Sequence, residues 1–331
     1  MGPRFSLVAI LLMVTVAVSA QEFGPWSTPV NLGSTINTPA DDFHPNLSKD
    51  GLSMVFSSTR AGGHGGIDLW VTERESPDSP WGPPENIDAL NSPFDDHAAN
   101  LTTDGHWIFF FSTRPGGSCN GGARTELYAA HRKDHRDNLG WEAPINLGCS
   151  TINIAGTDQG APNFWEDGSG TGHLYFARNF TPANNQGFDI YVSTCASDIS
   201  SCNRDQLWSA AQPVTELNSP LRDTRTAIRR RDNLEIIVSS MRVIANGHDL
   251  WVATRPSTAE PWSVPVNLNA DNAEKCASLG ISPCPVVNTT ANESAAAISW
   301  DGQTMIFYSN RTGGFGSNDL WMSTREKLTG H

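Results

Sequence analysis

The stretch SKDGLSMVFSSTRAGGHGGIDLWVTER, Ser48–Arg74, decides the fold because the chain keeps returning to it. TTDGHWIFFFSTRPGGSCNGGARTELYAAHR follows from Thr102, and SWDGQTMIFYSNRTGGFGSNDLWMSTR from Ser299. Two worn copies lie between them, EDGSGTGHLYFARNFTPANNQGFDIYVSTC and RDNLEIIVSSMRVIANGHDLWVATR. Each copy is a turn, an apolar strand ending in Arg, a Gly-rich loop, and a strand that opens with an acid and an aromatic. Self-similarity of this kind marks a repeat architecture, in which one supersecondary unit buries its faces only against its neighbours.

Turn signals frame the strands, with DG at Asp50, Asp104, Asp167 and Asp301. In the first unit the strands are expected at roughly His44 to Leu47, Leu52 to Thr59, Leu69 to Glu73 and Trp81 to Ile87. The second strand is apolar on both faces, as in Trp107 to Phe111, which fits a sheet sandwiched between two others. Four strands per unit, repeated radially, make a propeller. Units begin near residues 41, 95, 158, 223 and 292, so the fold expected is all-β with five blades over residues 21–331. A second motif, W-x-x-P-x-N-L, recurs at Trp26, Trp81, Trp141 and Trp262, with a degenerate copy at Trp208. It runs out of phase with the strand units, leaving the last blade without an outer strand. The segment around Trp26 is the natural strand to complete it. The regular recurrence of these Trp residues assigns them to packing between blades.

Composition agrees. There are 29 Gly, 21 Pro and 11 Trp and only 17% charged residues, as a turn-rich β chain requires. Residues 1–20 read as a secretion signal: Arg4 is followed by an uncharged run from Leu7 to Val18 and by the small-residue site Val18-Ser19-Ala20. Such a run is too short to span a bilayer. The expected protein is therefore periplasmic or extracellular, not membrane-embedded, and monomeric. A net charge of −13 argues against nucleic acid as a partner. Six cysteines in an exported chain imply disulfides. Of the fifteen connectivities that six cysteines allow, the one expected from proximity joins Cys195 with Cys202 and Cys276 with Cys284, leaving Cys119 with Cys149. Nothing has zinc-site spacing.

The signature S-x-D-G-x-x-x-x-F-x-S-x-R, followed by D-L/I-W/Y-V, resembles the WD40-like repeat of TolB-type β-propellers. The resemblance covers the whole mature chain, strongly in units one, two and five. It implies a periplasmic binding or scaffold module, usually of six blades, although this chain offers five units.

Three positions recur. An acid opens the inner strand (Asp42, Asp96, Asp158, Asp223, Glu293), an Arg ends the second strand (Arg60, Arg114, Arg178, Arg242, Arg311), and another acid opens the third (Asp68, Glu126, Asp189, Asp249, Asp319). All lie at one edge of a blade, so each Arg is expected between two carboxylates, as a repeated structural pin. Ten acids against five Arg also predict an acid-rich channel mouth, able to hold calcium or a cationic ligand. Asymmetry is the mark of a site, and the units differ just before and after the inner-strand acid. Asp41, Asp42, His44, Asp95, Asp96 and His97 approach the mouth from units one and two; Asp158, Asp223, Arg222, Arg225 and Glu293 come from the others. His64 and His248 lie in Gly-rich loops and are expected at the surface.

The leading expectation is an exported, non-catalytic propeller that binds a protein or small polar ligand at this mouth. The alternative is a glycoside hydrolase-like enzyme using a carboxylate pair such as Asp42 and Glu293. An Arg beside each acid lowers its pKa, the wrong direction for a general acid. No GxSxG, HExxH or GxxxxGK[ST] occurs, and the Gly-rich loops join strands and open no helix.

Overall fold

A computed structural model describes residues 23–115, 119, 124–179, 187–196, 202, 207–243 and 247–328; the secretion signal read at residues 1–20 lies outside them. The chain forms five four-stranded antiparallel sheets. In the first blade the strands are Asp42–Leu47, Ser53–Ser58, Asp68–Glu73 and the short outer pair Glu85–Asn86. The next three inner strands are Asp96–Leu101, Asp158–Glu166 and Asp223–Ile228. The last sheet combines Glu293–Ile298, Thr304–Ser309 and Asp319–Thr324 with the amino-terminal strand Val30–Asn31, as the phase of the Trp motif requires.

The core is divided into five layers, each lying between neighbouring blades. One joins Val55, Leu69 and Ile87 of the first blade to Ala99, Ile108 and Phe110 of the second. Another joins Ile237 and Leu250 of the fourth to Ala296 and Phe307 of the fifth. Every residue of Ser53–Ser58 is buried, which explains why the second strands are apolar on both faces.

The motif Trp residues are buried and do not line the mouth. Arg74, Arg132, Arg255 and Arg325 lie over Trp81, Trp141, Trp262 and Trp26 at 4.1–4.3 Å. Each of these Arg donates Nε–H to a carbonyl of the preceding hairpin turn: Gly51, Gly105, Asn233 and Gly302. The third blade has Cys195 where the others carry this Arg. There the Cys195–Cys202 disulfide and the bond from Trp208 to the Cys202 carbonyl, 2.7 Å, hold the Trp instead. The other disulfides are Cys119–Cys149 and Cys276–Cys284, as expected.

One helix, Leu268–Leu279, was not anticipated by an all-strand reading. Asn267 caps its start by accepting from Asn269 N–H, and Gly280 ends it in the left-handed region at φ 68°. No helix among the described residues is long and apolar enough to cross a membrane.

Candidate functional site at the axial mouth

The inner-strand acids are anchors with their carboxylates turned away from the mouth. Asp42, Asp96, Asp223 and Glu293 are fully buried. Each carboxylate accepts the amide and hydroxyl of a residue four positions earlier: Thr38, Ser92, Ser219 and Thr289. Each also pairs with its blade's Arg, at 2.5–3.4 Å. The expectation that Asp42, Asp96, Asp223 and Glu293 bind ligand is therefore corrected: their oxygens are already spent inside the blade. The same finding removes Asp42 and Glu293 as a catalytic pair.

The expected second partner of each Arg is also corrected. The third-strand acids form no ion pair with Arg60, Arg114, Arg178, Arg242 or Arg311 among the described residues. Asp68 instead accepts the amides of His64 and Gly65 in its Gly-rich loop, and Asp319 those of Phe315 and Gly316. Glu126, Asp249 and Asp319 receive the outer-strand amides of Asn146, Asn267 and Asn31. Asp189 stands opposite Arg178 across its sheet.

Blade three departs from the repeat by one residue. Asp42, Asp96, Asp223 and Glu293 stand opposite a serine of the second strand, whereas in blade three it is Gln159 that stands opposite Arg178. Gln159 also donates its amide to the neighbouring blade, at Thr125, as Asp96 does at Ile67. A neutral Gln thus holds the anchor position, its side chain against the Thr157 hydroxyl. Arg178 stacks on Phe176 and Tyr191 and donates to the Thr151 and Ile152 carbonyls. Asp158, expected as an anchor, is the residue before it and pairs with Arg124 at 3.4 Å.

The residues preceding the anchors are therefore Asp41, Asp95, Asp158, Arg222 and Asn292. Three of them accept an amide from the adjacent blade: Asp95 from Ile67, Asp158 from Thr125 and Asn292 from His248. Asp41 accepts the Asn318 side chain, 3.0 Å, and lies outside the cavity. Two residues past the anchor, His44, Ala98, Ala161 and Ala295 take positive φ of 50–56° beside a register shift. Bulges re-aim side chains in this way at functional rims. In blade four the shift comes earlier, between Asp223 and Arg225, and Arg225 is not among the positive-φ residues.

Together these positions enclose a cavity of about 500 Å³ at the end of the blade axis. His44, Asp95, His97, Asp158, Arg222 and Arg225 line it, as do His248, Tyr308, Phe111 and Phe188, which the sequence reading did not assign to the site. His248 is thus a lining residue and not a surface one, while His64 lies at the exterior beside Asp88 at 2.9 Å. Phe111 packs against His97 with ring centroids 3.7 Å apart, and His44 and His97 are 5.5 Å apart.

The electrostatics reverse the acid-rich expectation. With the anchors buried, the cavity's carboxylates are Asp95 and Asp158, against Arg124, Arg222 and Arg225. Burial and Arg225 lower His97 to about 3; burial and Arg222 lower His248 to about 4. Burial, Arg225 and the neighbouring imidazoles depress His44 as well, so all three rings are neutral near pH 7. Arg225 is lowered by burial only to about 10 and keeps its charge. Among the described residues no group of three or more His, Cys, Asp or Glu is arranged to hold a metal ion.

No protein-family model matches the chain, and no curated protein matches it. Solved structures do. A GH62 hydrolase in complex with xylotriose is similar at a TM-score of 0.55 and 12% identity, over 91% of this chain and 97% of that one. The endo-arabinase of Bacteroides thetaiotaomicron is similar at 0.53 and 12%, over 92% and 98%. The α-L-arabinofuranosidase of Lactobacillus brevis is similar at 0.53 and 13%, over 86% and 90%. At such identities the likeness establishes the five-bladed fold alone. It corrects the TolB-type resemblance, since these neighbours are glycoside hydrolase propellers. The expectation of a non-catalytic binding scaffold is likewise corrected, because the matching solved structures are named as glycoside hydrolases, the class of the alternative.

Proposed function

We propose that this chain is an exported carbohydrate-active enzyme that works on a glycosidic bond at the axial mouth, with Asp95 and Asp158 as its carboxylates. The observation that carries the reading is the break in blade three. Gln159 takes over the anchor position, so Asp158 lines the cavity together with Asp95 of the adjacent blade. Two carboxylates flanking one bond are the usual apparatus of glycoside hydrolysis. The Ile67 amide holds Asp95 and the Arg124 ion pair holds Asp158, so the two are positioned to share the work of acid on the leaving oxygen and base on the attacking water. Phe111, Phe188 and Tyr308 add aromatic surface to the lining, as sugar-sized polar sites use. Fold neighbours named for arabinan and xylan linkages support the class. The three disulfides fit an oxidising, extracytoplasmic setting.

The test is a panel of aryl arabinofuranosides, xylosides and hexosides, followed by the matching oligosaccharides. Asp95→Asn and Asp158→Asn should each lower kcat/KM by about 10²-fold or more, the usual worth of a positioned proton-transfer group. An unchanged rate in the double variant, or no turnover anywhere on the panel by folded protein, would refute the assignment.

A further inference from the structure

The cavity floor holds more unanswered polar atoms than a site for a neutral sugar requires. His44 Nδ1, His97 Nδ1, His248 Nε2, Arg222 Nε and Arg225 Nη1 are all buried without a hydrogen-bond partner. Arg225 is 4% exposed, and its other terminal nitrogen reaches only the Ala99 carbonyl, at 3.5 Å. Arg222 rests on the Phe188 ring at 4.9 Å. Neither Arg forms an ion pair among the described residues. The acidic group that acts on both is the Tyr308 phenol, whose own pKa burial raises, so it stays neutral and supplies no countercharge. Asp158 is already taken by Arg124. A buried Arg without a counterion is costly, because its desolvation goes uncompensated. Arg225 is such a group, and beside it stands the half-buried Arg222 with its own buried, unpartnered Nε; in a chain of net charge −13 the two mark a place prepared for an anion.

We infer that Arg222 and Arg225 receive the carboxylate of a uronic-acid residue, so that the substrate of this mouth is an acidic glycan. The sugar part of this inference rests on the glycoside reading above; the anion part rests on the two guanidinium groups alone. Asp95 and Asp158 lie on blades two and three, and Arg222 and Arg225 on blade four, so the cavity has a carboxylate wall and a cationic wall. A uronate bound across it has its charge on the second wall and its glycosidic bond toward the first. The neutral imidazoles of His44, His97 and His248 provide further hydrogen-bonding nitrogens to the carboxylate or to ring hydroxyls.

The experiment is titration calorimetry on the full chain with D-glucuronate and D-galacturonate. D-Glucose and D-galactose serve as neutral controls, and sodium acetate and sulfate at matched ionic strength as sugarless anions. Uronates should bind and the neutral hexoses should not. Arg222→Gln should weaken uronate binding by about tenfold to a hundredfold, the worth of a charge-assisted hydrogen bond. Arg225→Met should do the same if it folds; Arg222, less deeply buried, carries the test if it does not. Neutral hexoses that bind as tightly as uronates, or an Arg222→Gln variant that binds uronate unchanged, would overturn the inference. Acetate and sulfate binding as tightly as the uronates would overturn the assignment to a sugar. Uronate binding without turnover of any glycoside would support this inference while removing the hydrolase reading. Turnover of neutral glycosides without uronate binding would do the reverse.

Discussion

Consecutive side chains of an extended strand leave it in opposite directions, and Asp95 and Asp96 show what that does at the head of an inner strand. Asp96 turns into the blade, where Ser92 and Arg114 close around it. Asp95 keeps one oxygen on the Ile67 amide and lines the cavity. Asp96→Asn should therefore cost about 3 kcal/mol in urea unfolding, the lower end for breaking a buried pair, since Arg114 keeps some solvent access. Asp95→Asn retains a carbonyl acceptor for Ile67 and should stay within about 1 kcal/mol. Equal costs at both positions would mean that the two carboxylates are not divided into pin and site.

The buried histidines give the molecule an acid limit of their own. His97, His248 and His44 are held neutral in the fold but accept protons near pH 6.5 once unfolded. The unfolded state then binds more protons, so stability falls as pH drops below about 6.5 and keeps falling toward the folded-state values. Each such ring contributes up to about 1.4 kcal/mol per pH unit in that window. Asp249, pushed up to about 6 by burial and Glu293, titrates in the opposite sense and offsets one ring's share. Melting temperatures between pH 7 and 4.5 should decline, and His97→Gln should flatten the curve. An unchanged slope in that variant would show that His97 is not held neutral by its contacts with Phe111 and Arg225.

At the scale of the element, four of the five blades are pinned twice, once at either end, whereas blade three carries Gln159 and Cys195 at the two positions. Near the mouth an Arg grips the anchor acid; at the far end another Arg grips the hairpin turn and a Trp. Both devices are written in the repeat, since Arg60 and Arg74 recur with the Asp and Trp they serve. That is why blade count, strand order, disulfide pairing and the closing strand were all readable from the residues. The register of blade three was not. Its inner and second strands run to nine and eight residues, where the others have six. Arg178 consequently falls within its strand, and matching on Arg and Asp slips by one, mistaking Asp158 for an anchor. Gln159 was the available signal: a buried polar residue at a position otherwise acidic. The cationic cast of the mouth was hidden for a related reason. Formal charges summed from sequence count four anchors that burial removes from the mouth, and His248, Phe188 and Tyr308 reach the cavity only through three-dimensional packing. The helix Leu268–Leu279 escaped because its apolar face is narrow, with Leu268, Asn272 and Cys276 as its buried residues.

At the scale of the whole molecule, that helix matters because it locks the ring. Closure joins Val30 and Asn31 to Met322 and Trp321, contacts almost three hundred residues apart along the chain. Asn272 on the helix donates to the Trp26 carbonyl at 2.9 Å and accepts the Trp26 amide at 2.8 Å. Trp26 is fully buried, sits under Arg325, and belongs to the core layer between blades four and five. One Asn side chain therefore satisfies both backbone groups of the residue on which closure depends. Asn272→Ala strands those groups in a dry interior, at about 1–3 kcal/mol each. The loss should be local before it is global, because each blade is stabilised mainly by its two neighbours, and the seam lies inside blade five, between its outer and third strands. Hydrogen exchange on the variant should show the amides of Leu320–Met322 and Leu32 exposed first, with Phe109 and Phe110 of the second blade still protected. A uniform rise in exchange across all blades would contradict a locked seam and describe a propeller that opens only as a single unit.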